Sequence, residues 1–284
     1  MIAESAYYTH SGKFNPIGLL LGLGAGAVAA VAVPYVYSYV ILYLPFAGYI
    51  SFALAALCGG GVGWVLGHAF RIGNVRNKPL TLLAGVALGT FALYYSWAVW
   101  VYAFAKDGGA EVTIAGLVSQ PQVLWAIVQE INALGAWTMA GAWTPTGGIL
   151  WALWGIEALL IFSVAALYPL SCIEEPFCES CKQWFDASED VVRLPPGNPV
   201  WLQQQLEMKH FNSLAKLGKV KLDAPGWFRL DLHSCTSCLQ AHTLSVKTVR
   251  VNPANQEGNG LDVADYLDHI LLTSEQANYI RTLR

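Results

Sequence analysis

The sequence predicts an α-helical integral membrane protein, a four-helix transmembrane bundle followed by a C-terminal α+β domain in the cytosol. Three observations lead to this fold class. Of the 284 residues, 55% are hydrophobic and only 12% are charged, about half the charged fraction of a soluble protein. Of the 16 basic and 19 acidic residues, five of each lie within residues 1–171. That part also contains four apolar stretches long enough to cross ~30 Å of hydrocarbon, which takes about 20 helical residues.

These stretches define the predicted spans and the domain border. The spans cover residues 17–44, 46–70, 80–105 and 148–168, within a membrane domain 1–170 that precedes a soluble domain 171–284. Pro45 marks the turn between the first two spans, which form a helical hairpin. The first span is far longer than the apolar core of a signal peptide, about 7–15 residues, so we expect it to be retained.

The distribution of cations predicts the orientation. Arg71, Arg76 and Lys78 lie in the short loop between the second and third spans, and Lys13 precedes the first span. The longer loop between the third and fourth spans has one cation, Lys106, and three acids. Because cytoplasmic loops carry an excess of Lys and Arg, we expect both termini in the cytoplasm and the protein in the plasma (inner) membrane.

Glycines recur every four residues in the first three spans, a spacing that lets helix backbones approach closely in lipid. Packing within the bundle is the simpler interpretation, and a homo-oligomeric interface is the alternative. The members are Gly18, Gly22 and Gly26, then Gly59, Gly63 and Gly67, then Gly85 and Gly89. In the outer loop, residues 120–135 have the apolar spacing of a helix. Such a helix would lie at the membrane interface or form a lid packed on the bundle.

Glu157 is the one acid within a predicted span. An ionisable group at that depth is costly and is therefore a candidate functional residue. A structural role is the simpler interpretation, because no second ionisable group accompanies it at depth, and the carboxyl group would then be protonated or hydrogen-bonded to Ser96 or Tyr94 of the third span. The sequence predicts no chemical role for two further cysteines. Cys58 is expected to pack inside the second span, and Cys172 is expected to be an inert buried cysteine rather than a palmitoylation site.

Two C-x2-C pairs form the sharpest chemical motif. Cys178 and Cys181 make the first pair, Cys235 and Cys238 make the second, and 53 residues separate the pairs. Two such turns can bring four thiolates to the corners of a zinc-binding tetrahedron, and the reducing cytosol keeps them available for metal. The pattern resembles the zinc-ribbon type of four-cysteine module, and that resemblance implies a structural Zn²⁺ ion. A thiol–disulfide redox pair is the alternative.

The flanks of the motif predict an α+β domain. Asn198-Pro199 and Gly218 have the positions of an N-cap and a C-terminal glycine for one helix. Residues 228–233 and 243–251 alternate as two strands, which places the second cysteine pair at the tip of a hairpin. His233 and His242 flank that pair and are expected to be bystanders.

Two more helices are predicted near the C-terminus. The apolar spacing of residues 263–271 favours an amphipathic helix. Thr273 and Gln276 then have the spacing of a capping box, which opens a short final helix to about Leu283.

A basic cluster and the overall charge bear on binding partners. Lys209, Lys216, Lys219 and Lys221 could contact anionic lipid, or they form a solvated helix end. Residues 172–284 have 11 cations and 14 acids, a balance that argues against nucleic-acid binding.

Three functions remain open. The default is a membrane-anchored adaptor or scaffold that binds a cytosolic or membrane protein through the zinc module. A transporter or channel subunit that uses Glu157 is the first alternative, and a thiol-based membrane redox protein is the second. An enzyme is less expected, because the chain has no G-x-S-x-G, H-E-x-x-H or Walker A motif.

Overall fold

The structure is a computed structural model that describes residues 6–43, 49–109, 111–137, 144–218, 220, 224–254 and 260–283. The chain divides into two compact units. One unit is Ser11–Glu174, and the other is Glu175–Arg284 together with Met1–His10. The N-terminal ten residues are therefore grouped with the C-terminal domain, although they precede the first helix.

Four long apolar helices form the first unit, as predicted. They are α1 (Pro16–Tyr43), α2 (Tyr49–Ile72), α3 (Lys78–Asp107) and α6 (Gly147–Cys172), and the short helices α4 (Ile114–Ser119) and α5 (Pro121–Leu134) lie between α3 and α6. Each long helix has the length and apolar composition needed to cross a membrane. The predicted turn at Pro45 lies outside the described residues.

The glycines of the long helices pack within the chain. A Cβ atom at Gly18 would collide with the backbone of Gly73, and one at Gly59 would collide with the carbonyl oxygen of Ile161. A Cβ atom at Gly85 would lie 2.8 Å from the carbonyl oxygen of Ala165. These contacts bring α1 against the end of α2, and α6 against both α2 and α3. The intramolecular interpretation of the glycine spacing therefore accounts for these positions.

Gly59 and its neighbour Gly60 make a matched pair for testing this close approach. Gly59→Ala is expected to destabilise the pairing of α2 with α6 by about 1–3 kcal/mol, because the added methyl group overlaps backbone atoms that cannot move alone. Gly60→Ala should be neutral or slightly stabilising, since the nearest atom to its Cβ is 3.8 Å away and alanine is the better helix former. Thermal unfolding of the detergent-solubilised protein measures both. Equal stability of the two variants would contradict the proposed packing.

Helix α5 has one buried face and one exposed face. Leu124, Val128 and Ile131 are buried in a cluster with Leu150 and Trp154 of α6. The other face of α5 leaves Val123, Trp125 and Leu134 exposed. The buried face packs on the long helices as a lid would, while the exposed face keeps the apolar character of an interfacial helix.

The C-terminal unit contains two antiparallel sheets. A two-stranded sheet pairs β1 (Phe177–Cys178) with β2 (Gln183–Trp184). A four-stranded sheet has the order β3-β4-β5-β6, formed by β3 (Asp186–Leu194), β4 (Gly226–Ser234), β5 (His242–Val251) and β6 (Leu261–Leu272). One face of the larger sheet contributes Leu230, Leu232, Leu244 and Val246 to the main core. The other core residues come from helix α7 (Pro199–Glu207), a 3-10 helix (Phe211–Leu217) and helix α8 (Ser274–Thr282).

The single helix predicted between Asn198 and Gly218 is two helices. The Asn198 side chain accepts hydrogen bonds from the N–H groups of Val200 and Trp201, so the predicted N-cap is correct. Helix α7 ends at Glu207, and Lys209 then takes a left-handed backbone conformation with φ 60°. The chain resumes as the 3-10 helix, because a left-handed residue cannot continue an α-helix.

The amphipathic helix predicted at residues 263–271 is wrong, since this segment is part of β6. The pairs Leu244–Ile270 and Val246–Leu267 show that three steps on β6 match two steps on β5. A second irregularity follows directly, between Val246 and Lys247. Such bulges break the two-residue alternation of a strand. The remaining apolar spacing therefore mimics a helix.

The N-terminal segment forms a short extra strand beside β6. The Leu271 N–H donates to the Ala6 carbonyl at 2.9 Å, and the Tyr8 N–H donates to the His269 carbonyl at 2.8 Å. Tyr7 faces Ile270 in an antiparallel bridge. We call residues 6–10 the N-terminal strap. It pairs with the β6 edge, which would otherwise present unpaired backbone groups.

Candidate metal centre

Two hairpins carry the four cysteines. The turn between β1 and β2 contains Cys181 and follows Cys178, and the turn between β4 and β5 contains Cys235 and Cys238. The predicted position of the second pair at a hairpin tip is therefore confirmed. The four Sγ atoms lie within 4.8 Å of one another, and those of Cys178 and Cys238 are 3.9 Å apart. A tetrahedron of sulfur atoms 2.3 Å from zinc has edges of about 3.8 Å, so the cluster could hold a metal ion.

Backbone hydrogen bonds shape the second turn before any metal binds. The Cys235 N–H donates to the Ala241 carbonyl, and the Leu239 N–H donates to the Cys235 carbonyl, each at 3.0 Å. Leu239 has a left-handed conformation with φ 52°, which closes the turn tightly. Both sulfurs of this pair are thus held on the side that faces the first pair.

The environment favours a thiolate at one position of the cluster. Backbone N–H groups of Gln240 and Ala241 donate to the Cys238 sulfur and lower the pKa of this thiol to about 6. Burial raises the pKa of Cys178, and burial together with the neighbouring thiols raises that of Cys181 to about 12. One thiolate among four close sulfurs is what a cation needs to begin binding, because metals bind the deprotonated form.

Gln183 links the two turns, and the sequence analysis missed it. Its amide nitrogen lies 3.3 Å from the Cys235 sulfur and 3.2 Å from the Thr236 hydroxyl. Its amide oxygen accepts a hydrogen bond from Ser237 at 2.8 Å. Groups that hydrogen-bond to ligand atoms orient those ligands and tune the metal. The only sequence signal is the position of Gln183 two residues after Cys181.

The two flanking histidines form hydrogen bonds away from the sulfur cluster. His233 Nδ1 lies 3.1 Å from a Glu175 carboxylate oxygen. His242 lies between two partners, with Nε2 2.9 Å from the Leu239 carbonyl and Nδ1 2.8 Å from the Ser234 hydroxyl. The carbonyl requires the proton on Nε2, so Nδ1 accepts from Ser234. Burial lowers the pKa of His242, which favours this neutral ring. His242 therefore supports the second turn.

Glu157 has a different partner from the one predicted. The Ser51 side chain of α2 forms a hydrogen bond with it. The two hydroxyl groups suggested as partners donate their protons elsewhere. The Ser96 hydroxyl donates to the Leu93 carbonyl and the Tyr94 hydroxyl donates to the Val118 carbonyl, both at 2.7 Å. The hydrogen bond that the structure gives Glu157 is therefore with α2 rather than with α3. Periodicity could not reveal which neighbouring helix the carboxylate faces.

Cys58 and Cys172 lie in the first unit, apart from the four-cysteine cluster. Cys58 is buried with Ala55 and Ile161, as expected of a packing residue. Cys172 packs against Gly67, since a Cβ atom added to Gly67 would lie 2.6 Å from the Cys172 sulfur. Its carbonyl oxygen accepts a hydrogen bond from Arg71 at 2.9 Å, which satisfies an acceptor at the end of α6.

The predicted basic cluster is described only in part. Lys209 donates through its ammonium group to the Leu271 carbonyl, and burial lowers its pKa. The Lys209 side chain therefore stabilises the domain by binding to β6, and it is not part of an exposed basic surface. Lys216 is exposed at the end of the 3-10 helix. Lys219 and Lys221 lie outside the described residues.

Fold and site together define a protein with a domain of long apolar helices and an α+β domain that contains a four-cysteine cluster able to hold a metal ion. Comparison of the chain with protein-family models, curated proteins and solved structures finds no match. Inferences about its function therefore rest on the chemistry of the site and on the surfaces of the two units.

Proposed function

We propose that this protein is a membrane-anchored adaptor, in which the four long helices span the bilayer and a zinc-stabilised domain binds a partner protein in the cytosol. The outer surface of the helical unit carries the argument for membrane insertion. Large apolar side chains project outward along α1, α2 and α6, among them Leu20, Leu21, Leu57 and Leu159, each more than 60% exposed. A contiguous apolar surface of this kind is rare on a soluble monomer and is typical of lipid contact.

The position of the cations supports a cytoplasmic location for both termini. The start of α1 and the loop between α2 and α3 lie together, because the Arg76 N–H donates to the Lys13 carbonyl at 3.0 Å. Arg71 and Lys78 flank the same loop. This end of the bundle therefore has four cations, which favours the cytoplasmic side of a plasma (inner) membrane.

The strap gives a second, independent argument for termini on the same side. Residues 6–8 of the strap pair with β6 within one unit, so the strap and β6 must lie on one side of the bilayer. Four membrane crossings satisfy this requirement, whereas three or five would not.

Zn²⁺ is the metal that suits four cysteine ligands in a reducing compartment. Cys178, Cys181, Cys235 and Cys238 would hold it, and Gln183 and His242 would position the ligands. Zinc would cross-link two hairpins that are far apart in sequence, which is a structural role. The apolar tip of the second turn then offers a contact for a partner: Leu239 is 61% exposed beside Cys238.

Site-specific photocrosslinking in native membranes tests the adaptor proposal. A photoreactive amino acid at Leu239 should give one discrete protein adduct. The same residue at Val251, an exposed apolar position at the opposite end of β5, serves as the matched control and should give none. Equal labelling from both positions, or no adduct from Leu239, would reject the adaptor proposal.

The two alternative functions predict different results. An ion pathway through Glu157 predicts a flux in proteoliposomes that Glu157→Gln abolishes. A redox protein predicts a reversible disulfide within one cysteine pair and no bound metal. The adaptor predicts neither, and it predicts that Glu157→Gln leaves the Leu239 adduct unchanged.

A further inference from the structure

An aromatic pocket of about 250 Å³ lies between α3, α5 and α6. Half of its ten lining residues are aromatic: Tyr94, Trp97, Trp125, Trp151 and Trp154. The rings contact one another, with centroid distances of 4.8 Å for Trp97–Trp154, 5.3 Å for Trp151–Trp154 and 5.2 Å for Trp125–Trp151. Mutual packing of this kind makes a stiff, preformed wall. This volume is just below the range of drug-sized ligand sites, about 300–1,000 Å³, so the pocket suits a slender ligand.

The chemistry of the wall calls for an apolar ligand. None of the described residues that line the pocket is charged. The Tyr94 hydroxyl already donates to the Val118 carbonyl at 2.7 Å, so its proton is not available to a ligand. A cationic ligand would find aromatic faces but no carboxylate in the wall, and an anionic ligand would find no cation.

The pocket opens on the outward apolar surface of α6. A Cβ atom at Gly155 would meet no atom within 4 Å, so the wall has an open position there. Ile156 and Leu159 on the same helix project outward, and Trp125 of α5 is also exposed. Trp151 and Ala158 mark a length of about 10 Å along α6, at 1.5 Å per residue.

We propose that this pocket binds one acyl chain of a bilayer lipid. The inference rests on the membrane insertion proposed above, because the opening faces lipid only if α6 spans the bilayer. A hydrocarbon chain matches an elongated, uncharged, laterally open site. A partner helix, about 10–12 Å in diameter with its side chains, is too wide for a pocket of this size.

Photocrosslinking with a phospholipid that carries a diazirine in the middle of one acyl chain tests the inference. The full-length protein is reconstituted into phosphatidylglycerol and phosphatidylethanolamine vesicles with a small fraction of the probe, irradiated and mapped by mass spectrometry. We expect labelling of Val128, Trp151 and Ala158 at least fivefold above that of Leu20 and Leu21. These last two residues contact bulk lipid on α1.

Two glycine variants provide the matched control. Gly155→Leu puts a side chain into the pocket and should reduce pocket labelling at least fivefold. Gly24→Leu adds the same side chain to α1, where a Cβ atom also meets nothing within 4 Å, and should leave pocket labelling unchanged. Tetramethylammonium should not compete with the probe.

Several outcomes would overturn the inference. They are uniform labelling of pocket and α1 residues, equal labelling in the two variants, and displacement of the probe by tetramethylammonium, which would instead indicate an aromatic cation site. Extraction of the protein from vesicles at alkaline pH separates the two proposals. If the protein resists extraction but the probe labels it uniformly, only the lipid-binding pocket is contradicted. If the protein is extracted, both membrane insertion and the lipid-binding pocket are contradicted.

Discussion

Replacement of Cys181 by serine is expected to remove the metal and to unfold the hairpins that carry the cysteines. Structural zinc contributes on the order of 10–16 kcal/mol of apparent binding free energy, which exceeds or equals the total stability of most domains, about 5–15 kcal/mol. The cysteines form a small cluster with Phe185, and this cluster is separate from the main core. Few apolar contacts would therefore hold the two turns together once the metal is lost.

Elemental analysis and limited trypsin digestion of the full-length protein measure this effect. Wild type should contain close to one zinc per chain. Lys182, exposed in the first turn, should be cleaved rapidly in Cys181→Ser and slowly in wild type. Chelation of the metal should give the same cleavage as the mutation.

The two cysteines outside the cluster are the natural controls. Cys172→Ser and Cys58→Ser should keep both the zinc and the resistance of Lys182, because neither sulfur belongs to the cluster. Absence of zinc from natively purified, reduced wild type would refute the metal site. Unchanged cleavage of Lys182 in Cys181→Ser would refute its structural role.

Deletion of residues 2–10 is expected to destabilise the C-terminal domain, although it removes nothing from residues 175–284. The strap contributes two backbone hydrogen bonds to β6. In addition, the Tyr8 hydroxyl accepts from the Phe177 N–H at 3.1 Å and the Tyr7 hydroxyl donates to Glu207 at 2.6 Å. Three of these hydrogen bonds contribute about 0.5–1.5 kcal/mol each and the one to the Glu207 carboxylate contributes about 1.5–3 kcal/mol, which amounts to roughly 3–7.5 kcal/mol. The Tyr8 contact also connects the strap to the hairpin of the first cysteine pair.

Hydrogen exchange followed by mass spectrometry measures the loss. Peptides that cover β6 and β1 should exchange faster in the deletion variant, while those of α3 should be unchanged. Tyr7→Phe provides the control, because it removes one hydroxyl and keeps the backbone pairing. Its effect should be no more than about 3 kcal/mol, the upper value for one hydrogen bond to a charged group. Native protection of β6 in the deletion variant would show that the strap is dispensable.

Local patterns were sufficient for the features that depend on residues near one another in sequence. The four apolar helices follow from the length of uncharged stretches, and the cap at Asn198 follows from the Asn-Pro pair. The cysteine cluster is a favourable exception at long range, since thiolate chemistry limits what two C-x2-C pairs can form. Gly59 and Gly85 likewise signalled close packing through their four-residue spacing.

The features that failed depend on pairing between distant segments. Bulges in β6 are defined by its register with β5, and no periodicity within residues 261–272 records that register. The partner of Glu157 depends on how the long helices pack. Gln183 hydrogen-bonds to Cys235, Thr236 and Ser237 only once the second hairpin packs against the first. The strap is a few residues long, so its apolar and polar positions carry no pattern that favours a strand.

The pairing of the strap with β6 also has a consequence for biosynthesis. The strap leaves the ribosome long before β6, because the helical unit and most of the C-terminal unit lie between them in the sequence. The sheet edge can therefore be completed only after β6 has been translated. Contacts across such a sequence separation form slowly. A fusion that holds residues 6–10 away from β6 would accordingly disturb the domain formed by residues 175–283.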